Sequence, residues 1–342
     1  MSTTPSGWSQ LRWPIKAIII ALPLIGLGYF ATEKGLFKSQ PPESFQDNAA
    51  KENAAAEEGK DNAATTTKPA TTGELRSFNY QPEKPVNGEL KGIVEVGATG
   101  FNSFVINMDK EKRWEIKSKD FGKSLVYEGL ATTDDIRYGL KNYIADIFEK
   151  GVKSKNVHFV ISSGAQKEPK TAIISSELKK MGFVVNLVTA EQEGKLALKC
   201  VLPPSYKNSA FVTDIGSGNT KISWIDGNNI KALEAPGAKY FEKDGKDEDV
   251  YADVKAKAMQ IPAANKEVCF ILGGVPFELA NQHRQGEERY TVLKLPADYT
   301  AEKPKMKSGL NIYKAIADAT GCDTFVFDWD ANFSIGFLLG LN

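Results

Sequence analysis

The sequence predicts an α/β protein built from two related halves around a central cleft. Two apolar segments, beginning at Ile93 and Val212, each end in an acidic residue, turn at glycines and continue into a second apolar segment. They lie about 120 residues apart, and each opens a run of strands and helices. Glycine can adopt positive φ and lets backbone N–H groups approach phosphate oxygens. This repetition favours a duplicated domain that holds an anionic ligand between its halves, over the alternative of two unrelated structural hairpins.

The first half is expected at residues 88–205. Apolar side chains recur at helical spacing from Ile136 to Phe148, and Thr132 or Thr133 can cap that helix. Gly182 follows a second helical segment. The complete prediction for this half is strands at 92–96, 102–108, 113–117, 157–162 and 183–188, and helices at 136–148, 171–181 and 190–202.

The second half, residues 206–342, repeats the pattern. A charged helical segment follows its first three strands, and a fourth apolar strand leads into Gly273 and Gly274. Clusters of strands that alternate with helices predict a mixed sheet covered on both faces. The predicted strands are 210–215, 220–226, 230–235, 268–272 and 325–329, with helices at 247–260, after Gly274 and at 331–341.

The residues before the body differ from it in composition. After a tail at 1–12, residues 13–31 form a 19-residue apolar segment in which Lys16 is the only charged residue. This length suffices to cross a bilayer if Lys16 reaches the headgroups. A cleaved signal peptide is the alternative, but Tyr29-Phe30-Ala31 does not form a small-x-small cleavage pattern. Residues 32–87 are rich in Ala, Thr, Asn, Glu, Lys and Pro, which predicts a flexible linker.

These features predict a single-pass membrane protein, and a bacterial inner membrane is the expected location. Arg12 and Lys16 lie at the N-terminal end of the span, whereas Lys34 and Lys38 follow it together with acidic residues. The distribution of basic residues favours an inside N terminus and an extracytoplasmic, periplasmic body.

Composition limits the chemistry. The chain has 43 basic and 43 acidic side chains and no basic tract, which argues against a nucleic-acid partner. Cys200, Cys269 and Cys322 are widely spaced in the sequence. This spacing fits neither a zinc site nor a disulfide framework. The only histidines are His158 and His283, so few residues are available for histidine-based nucleophilic catalysis. Carboxylates, hydroxyls and backbone amides are the remaining groups that could carry out the function of this chain.

The order of motifs resembles the actin/hexokinase/heat-shock-chaperone ATPase (ASKHA) superfamily, and within it the exopolyphosphatase and guanosine pentaphosphate phosphatase (Ppx/GppA) family. Residues 94–101 resemble the first phosphate loop, V-D-x-G-S-N-S-x, and residues 214–220 resemble the loop D-I-G-G-G-S-T. Residues 189–196 resemble S-G-x-E-E-A-R-L. Gly273-Gly274 resembles a later glycine pair, and residues 334–336 resemble the closing helix. The likeness covers residues 88–342 and implies two ribonuclease-H-like subdomains.

The resemblance implies a cleft that binds polyphosphate or a nucleotide and hydrolyses a phosphoanhydride bond. Such a reaction depends on positioning a water molecule and neutralising oxygen charge. Glu193 matches the glutamate that activates the water, and Glu95 with Asp214 would hold Mg²⁺ through water. The predicted phosphate-binding residues are Gly97, Ala98, Thr99, Gly100, Gly216, Ser217, Gly218, Asn219, Thr220, Gly273 and Gly274.

The chain departs from the family pattern at several positions. Glu95 stands where Asp is usual, Ala98 and Gly100 replace hydroxyl residues, and Gln192 and Lys195 replace a Glu and an Arg. These departures leave a second hypothesis open: a catalytically degraded fold that acts as a phosphate-ligand sensor or a membrane-tethered assembly scaffold. A homodimer or a membrane assembly partner would suit that role.

Each acid also has a structural interpretation. Neighbouring amides could satisfy Glu95, and Glu193 could be a solvated helix residue. Asp214 is the acid least suited to a purely structural role, because burying a carboxylate without partners is costly.

Overall fold

The computed structural model describes residues 78–97, 100–126 and 132–341 of the chain. The predicted tail, the predicted membrane span at 13–31 and most of the predicted linker lie outside these residues. Within the described ranges, no helix combines the length and the apolar character that a bilayer span requires.

The first half contains a five-stranded sheet. Its strands are β1 (Glu89–Val96), β2 (Gly100–Met108), β3 (Trp114–Val126), β4 (Val157–Ile161) and β5 (Val185–Leu187). They lie in the order β3-β2-β1-β4-β5. β1, β2 and β3 form an antiparallel meander, whereas β4 and β5 extend the sheet in parallel.

Three helices accompany this sheet: α1 (Thr133–Glu149), α2 (Pro169–Lys180) and α3 (Ala190–Val201). Capping boxes begin two of them, with Thr132 and Asp135 at α1 and Thr189 and Gln192 at α3. Apolar residues of α1 and α2 pack on one face of the sheet, and those of α3 contribute to the core on the other face.

The second half contains a six-stranded sheet. Its strands are β6 (Ala210–Ile215), β7 (Asn219–Asp226), β8 (Asn229–Pro236), β9 (Val268–Leu272), β10 (Tyr290–Leu293) and β11 (Phe325–Asp328), in the order β10-β11-β9-β6-β7-β8. Its helices are α4 (Asp247–Ala258), α5 (Gly274–Asn281), α6 (Pro304–Thr320) and α7 (Phe333–Leu339).

The two sheets have matching topology. In each half, three antiparallel strands are followed by a strand that pairs in parallel with the first of them, β4 with β1 and β9 with β6. The predicted two-sheet α/β architecture is therefore confirmed. β10 was not predicted, because its apolar segment is only four residues long and antiparallel pairing with β11 places it at the outer edge of the sheet.

The halves share one hydrophobic core. Phe104 and Val160 of the first sheet belong to the same buried cluster as Val212 and Phe270 of the second sheet. Helices α3 and α7 cross in this region, and a Cβ atom on Gly336 would lie 2.0 Å from the Leu196 carbonyl oxygen. Glycine at 336 is therefore required for the contact between the two helices.

The last residues of the predicted linker lie against the body. The Phe78 ring is 5.5 Å from the Tyr206 ring and 5.1 Å from the Tyr290 ring. Further along, the Val86 N–H donates to Asp109 Oδ2 at 2.9 Å. Residues 78–86 therefore contact the second half at one end and the first half at the other.

Candidate functional site

The two predicted glycine turns are closed by equivalent backbone hydrogen bonds. The Gly97 N–H donates to the Gly100 carbonyl at 2.8 Å, and the Gly216 N–H donates to the Asn219 carbonyl at 3.1 Å. Each turn joins an antiparallel pair, β1 to β2 and β6 to β7. Ala98 and Thr99, two of the predicted phosphate-binding residues, lie outside the described residues.

The loop at residues 237–239 is hydrogen-bonded to the second turn. The Ala238 N–H donates to the Gly216 carbonyl at 2.9 Å, and the Lys239 N–H donates to the Ser217 carbonyl at 2.9 Å. A Cβ atom on Gly237 would lie 2.5 Å from the Gly218 carbonyl carbon. Residue 237 must be glycine for this loop to pack against the turn. Ser217 is half-buried and Gly218 is exposed.

Gly273 and Gly274 lie beside the second turn, at the start of α5. Gly273 has φ 107°, and a Cβ atom there would lie 2.2 Å from the Ile215 carbonyl oxygen. The need for glycine at 273 therefore follows from contact with strand β6 itself, without a ligand.

Two of the three predicted acids, Glu193 and Asp214, meet at a lysine that the sequence analysis did not single out. Lys221 Nζ lies 2.5 Å from Glu193 Oε2 and 3.5 Å from Asp214 Oδ2. The Lys221 side chain is 8% exposed and that of Glu193 1%. Burial alone lowers the pKa of Lys221, but Asp214, Glu193 and Glu95 outweigh it and raise that pKa above the ordinary value. Lys221 is therefore held as a buried cation.

The sequence did contain a signal for this pair. Asp214 and Lys221 are directly opposite each other across the β6–β7 hairpin. A turn of this length between Gly216 and Asn219 fixes that register, and cross-strand pairs of opposite charge are favourable. The contact with Glu193, by contrast, depends on where α3 lies.

Helix α3 packs closely against the second sheet. A Cβ atom on Gly194 would lie 3.0 Å from Ala232 Cβ and 3.3 Å from Lys221 Cβ. This approach directs Glu193 toward Lys221. The other carboxylate oxygen, Glu193 Oε1, accepts from the Ser163 N–H at 2.5 Å. Each oxygen of the predicted base thus accepts from one donor of the protein.

Glu95, the predicted metal ligand of the first half, is held by amides. Its Oε2 accepts from Asn102 Nδ2 and from Asn332 Nδ2, each at 3.0 Å. Burial raises the pKa of Glu95, the two amides oppose that rise, and the nearby Glu193 and Asp214 add to it. Asn332 also caps α7, since its Oδ1 accepts from the Ser334 N–H at 2.8 Å.

Two predicted phosphate-binding side chains have partners within the protein. Asn219 Nδ2 donates to Ser163 Oγ at 3.2 Å and to Glu234 Oε1 at 2.8 Å. The Thr220 hydroxyl donates to the Pro236 carbonyl at 2.9 Å. Asn219 is 7% exposed and Thr220 is fully buried. In this geometry they connect protein segments to one another and do not face an open cleft.

Protein donors already engage both acids that were predicted to hold Mg²⁺ through water. Lys221 already supplies positive charge beside Asp214, and one oxygen of Glu95 carries two amide donors. Mg²⁺ usually keeps several water ligands and is bound through one or two carboxylates together with substrate phosphates. Within residues 78–97, 100–126 and 132–341, no group of three or more His, Cys, Asp or Glu side chains could hold a metal ion.

Comparison with solved structures identifies the fold. A Ppx/GppA family member from Aquifex aeolicus aligns with a TM-score of 0.55 and 18% identity, over 73% of this chain and 96% of that protein. An exopolyphosphatase from Cytophaga hutchinsonii aligns with a TM-score of 0.55 and 14% identity, over 73% and 96%. This is the fold of the Ppx/GppA phosphatases. The predicted resemblance is confirmed at the level of the fold, although no family model and no curated protein matches the sequence.

Proposed function

We propose that this protein is a non-hydrolytic variant of the Ppx/GppA fold that acts as a membrane-tethered binding scaffold. One observation carries the proposal: both carboxylate oxygens of Glu193 are engaged, one by the Ser163 N–H and the other by the buried Lys221 ammonium. A general base must reach the proton of a substrate or of a water molecule. At 1% exposure, and with both oxygens occupied, Glu193 is poorly placed to do so.

The charge of the site also disfavours an anionic ligand. The Glu193 and Asp214 carboxylates face a single ammonium, that of Lys221. Among these three side chains, negative charge therefore exceeds positive charge. Drawing Lys221 away to bind phosphate would leave a buried carboxylate unpaired, which typically costs about 3–5 kcal/mol.

Polar side chains connect the two halves around this site. Asn332, beside the last helix, donates to Glu95 in the first sheet. Lys119 Nζ lies 3.1 Å from Asp330 Oδ1, connecting β3 to the segment after β11. These contacts add to the shared apolar core and support a body whose halves hold one arrangement. A fixed body suits a scaffold better than an enzyme that must admit and release a substrate.

The predicted span at residues 13–31 would attach this body to a bacterial inner membrane, with the body on the periplasmic side. The proposal rests on the apolar length of the span and on the basic residues at its N-terminal end. A reporter fused after Asn342 tests it. A reporter active only outside the cytoplasm should work, and a chain recovered without membranes would contradict the anchor.

Phosphate release by the full-length chain in detergent tests the absence of hydrolysis. Polyphosphate, guanosine pentaphosphate and ATP are the substrates, each with and without Mg²⁺. Wild type and Glu193→Gln should both release phosphate at the background rate. Glu191→Gln is the matched control, because Glu191 lies in the same helical turn but is exposed and pairs with Lys195.

Hydrolysis of a phosphoanhydride is the second candidate function. It is favoured by the proximity of Glu95, Glu193 and Asp214, each of which acts electrostatically on Lys221, in the Ppx/GppA fold. Steady release that is lost in Glu193→Gln and retained in Glu191→Gln would establish this function and refute the scaffold proposal. A rise in melting temperature with a phosphate compound, without turnover, would instead indicate a ligand sensor.

A further inference from the structure

A short segment before the first strand crosses from one half of the molecule to the other. It comprises residues 78–86, which we call the strap. The Phe78 ring lies 5.6 Å from the Phe270 ring in an edge-to-face arrangement, in addition to its contacts with Tyr206 and Tyr290. Aromatic pairs of this kind are favourable beyond the apolar area that they bury. Phe78 thereby packs against the buried cluster that the two halves share.

The other end of the strap is held on the first half by polar contacts. Asp109 Oδ2, which accepts from the Val86 N–H, also accepts from Arg113 Nε at 2.7 Å. The Asp109 side chain is 2% exposed. Arg113 Nη1 in turn lies 3.6 Å from Glu83 Oε2. Because a buried carboxylate that loses a donor is costly, the Val86 contact holds the strap at the turn between β2 and β3.

The residues between these two anchors favour an extended, stiff segment. Residues 78–85 lie in no helix, strand or turn. Pro82 and Pro85 fix two of the φ angles between Phe78 and Val86. Proline stiffens a segment of this kind and keeps it extended. The position of one anchor is therefore coupled to the position of the other.

The aromatic anchor lies on the connection between the halves. The chain passes from α3 to β6 through residues 202–209, which include Tyr206. Relative movement of two domains is absorbed by a few residues of such connections. Phe78 packs against Tyr206 of this connection, while Val86 is held at the first sheet. The strap is thus a second link between the halves, beside the point where the chain itself crosses.

A direct contact between the halves adjoins the same anchor. The Arg289 guanidinium lies 4.5 Å from the Trp114 ring of β3, and 5.3 Å from the Tyr290 ring that Phe78 contacts. Two hydrogen bonds, at 3.0 and 3.1 Å, join Arg289 to the buried Asp328. The second half therefore orients Arg289 while its guanidinium stacks on the first half. A continuous series of contacts leads from the strap to the first sheet.

We propose that the strap holds the two halves in one arrangement, and that release of Phe78 lets them move apart about residues 202–209. The rest of the predicted linker joins the strap at Phe78, so a displacement of the linker acts on the aromatic anchor first. The strap is then a conformational device through which the N-terminal region controls the body.

This inference goes beyond the proposed function, because a scaffold and a hydrolase could each be held in this way. Its test measures distances between the halves and involves neither phosphate release nor membrane attachment. Each proposal therefore fails on its own measurement.

Distances between two spin labels on the full-length chain in detergent test the inference. Because the native cysteines are buried, the labels attach to Ala145→Cys on α1 and Ala256→Cys on α4, both at exposed positions. The chain with an unchanged strap should give one narrow distance. Inserting Gly-Ser-Gly-Ser between Glu83 and Lys84 lengthens the strap but leaves both anchors intact, and should add a second, longer distance. Phe78→Ala should add it as well, by removing the aromatic anchor.

Two controls match these changes. The same insertion between Gly59 and Lys60, in the predicted linker, should leave the narrow distance unchanged. Phe241→Ala should also leave it unchanged, because Phe241 is a 38% exposed phenylalanine in the short helical turn Tyr240–Lys243 of the second half. A narrow distance that persists in both strap variants would overturn the proposal. A longer distance that the linker insertion also produces would overturn it too.

A label pair within one half separates movement of the halves from loss of structure. Ala256→Cys on α4 and Asn281→Cys at the end of α5 both lie in the second half at exposed positions. The distance between these labels should be the same with and without the insertion in the strap. If it changed, the second half itself would be losing its structure, and the strap would not be a device that sets the arrangement of two intact halves.

Discussion

The two glycine hairpins place an acid at the same structural position and satisfy it in different ways. Glu95 is directly opposite Asn102 across β1 and β2, and Asp214 is directly opposite Lys221 across β6 and β7. In the first half the cross-strand partner is a neutral amide, and in the second it is a buried ammonium. The backbone repeat is therefore preserved, while one side chain on the returning strand decides the charge of each hairpin.

This difference makes the two hairpins electrostatically unequal. The amides leave Glu95 without a compensating cation, and the pKa of Glu95 is accordingly raised by burial. Lys221 instead compensates Asp214 and reaches Glu193 on α3. The second hairpin thereby connects α3 to the second sheet.

Replacing the ammonium by the residue of the first hairpin, Lys221→Asn, should have the largest effect. Asparagine is too short to reach Glu193, so a carboxylate that is 1% exposed would lose its partner. We expect a loss of about 3–5 kcal/mol in the free energy of unfolding, measured by urea denaturation. Lys231→Asn, at an exposed position on the neighbouring strand β8, should change stability by less than about 0.5 kcal/mol. Equal effects at the two lysines would show that the buried ion pair contributes nothing.

Removing an amide from the first hairpin should have a smaller effect. Asn332→Ala deletes one hydrogen bond to Glu95 and the cap of α7, for an expected loss of about 1–3 kcal/mol. Asn228→Ala, in the exposed turn after β7, is the control and should have little effect. If Asn332→Ala lowered the free energy of unfolding as much as Lys221→Asn, the amide and the ammonium would contribute equally to the two hairpins.

The pH dependence of Glu95 should give the smallest effect. Because burial raises its pKa above 4.5, the folded protein binds more protons than the unfolded chain between 4.5 and the raised value. Stability contributed by the protonated group is therefore lost as the pH rises through that window. Glu95→Gln keeps an acceptor for Asn102 but cannot ionise, so its stability relative to wild type should increase from pH 4 to pH 7. A difference that stays constant across this range would contradict the raised pKa.

The contacts that define the site show why sequence patterns predicted only part of it. Helix starts at Thr132 and Thr189, and the matching hairpins, follow from residues within a few positions of one another. The pairing of Asp214 with Lys221 was also local and could have been read from the hairpin register. Asn332, by contrast, lies 237 residues from Glu95 along the chain, and no spacing indicates that they meet.

The sequence by itself determined the two-sheet α/β fold, the paired glycine turns and the acid at the end of each first strand. These features depend on backbone φ, on local hydrogen bonds and on the alternation of apolar residues, which short segments specify. Tertiary structure alone decided that Glu193 meets Lys221 and Ser163. That contact depends on the close approach of α3 to the second sheet at Gly194, and therefore on how distant segments pack together.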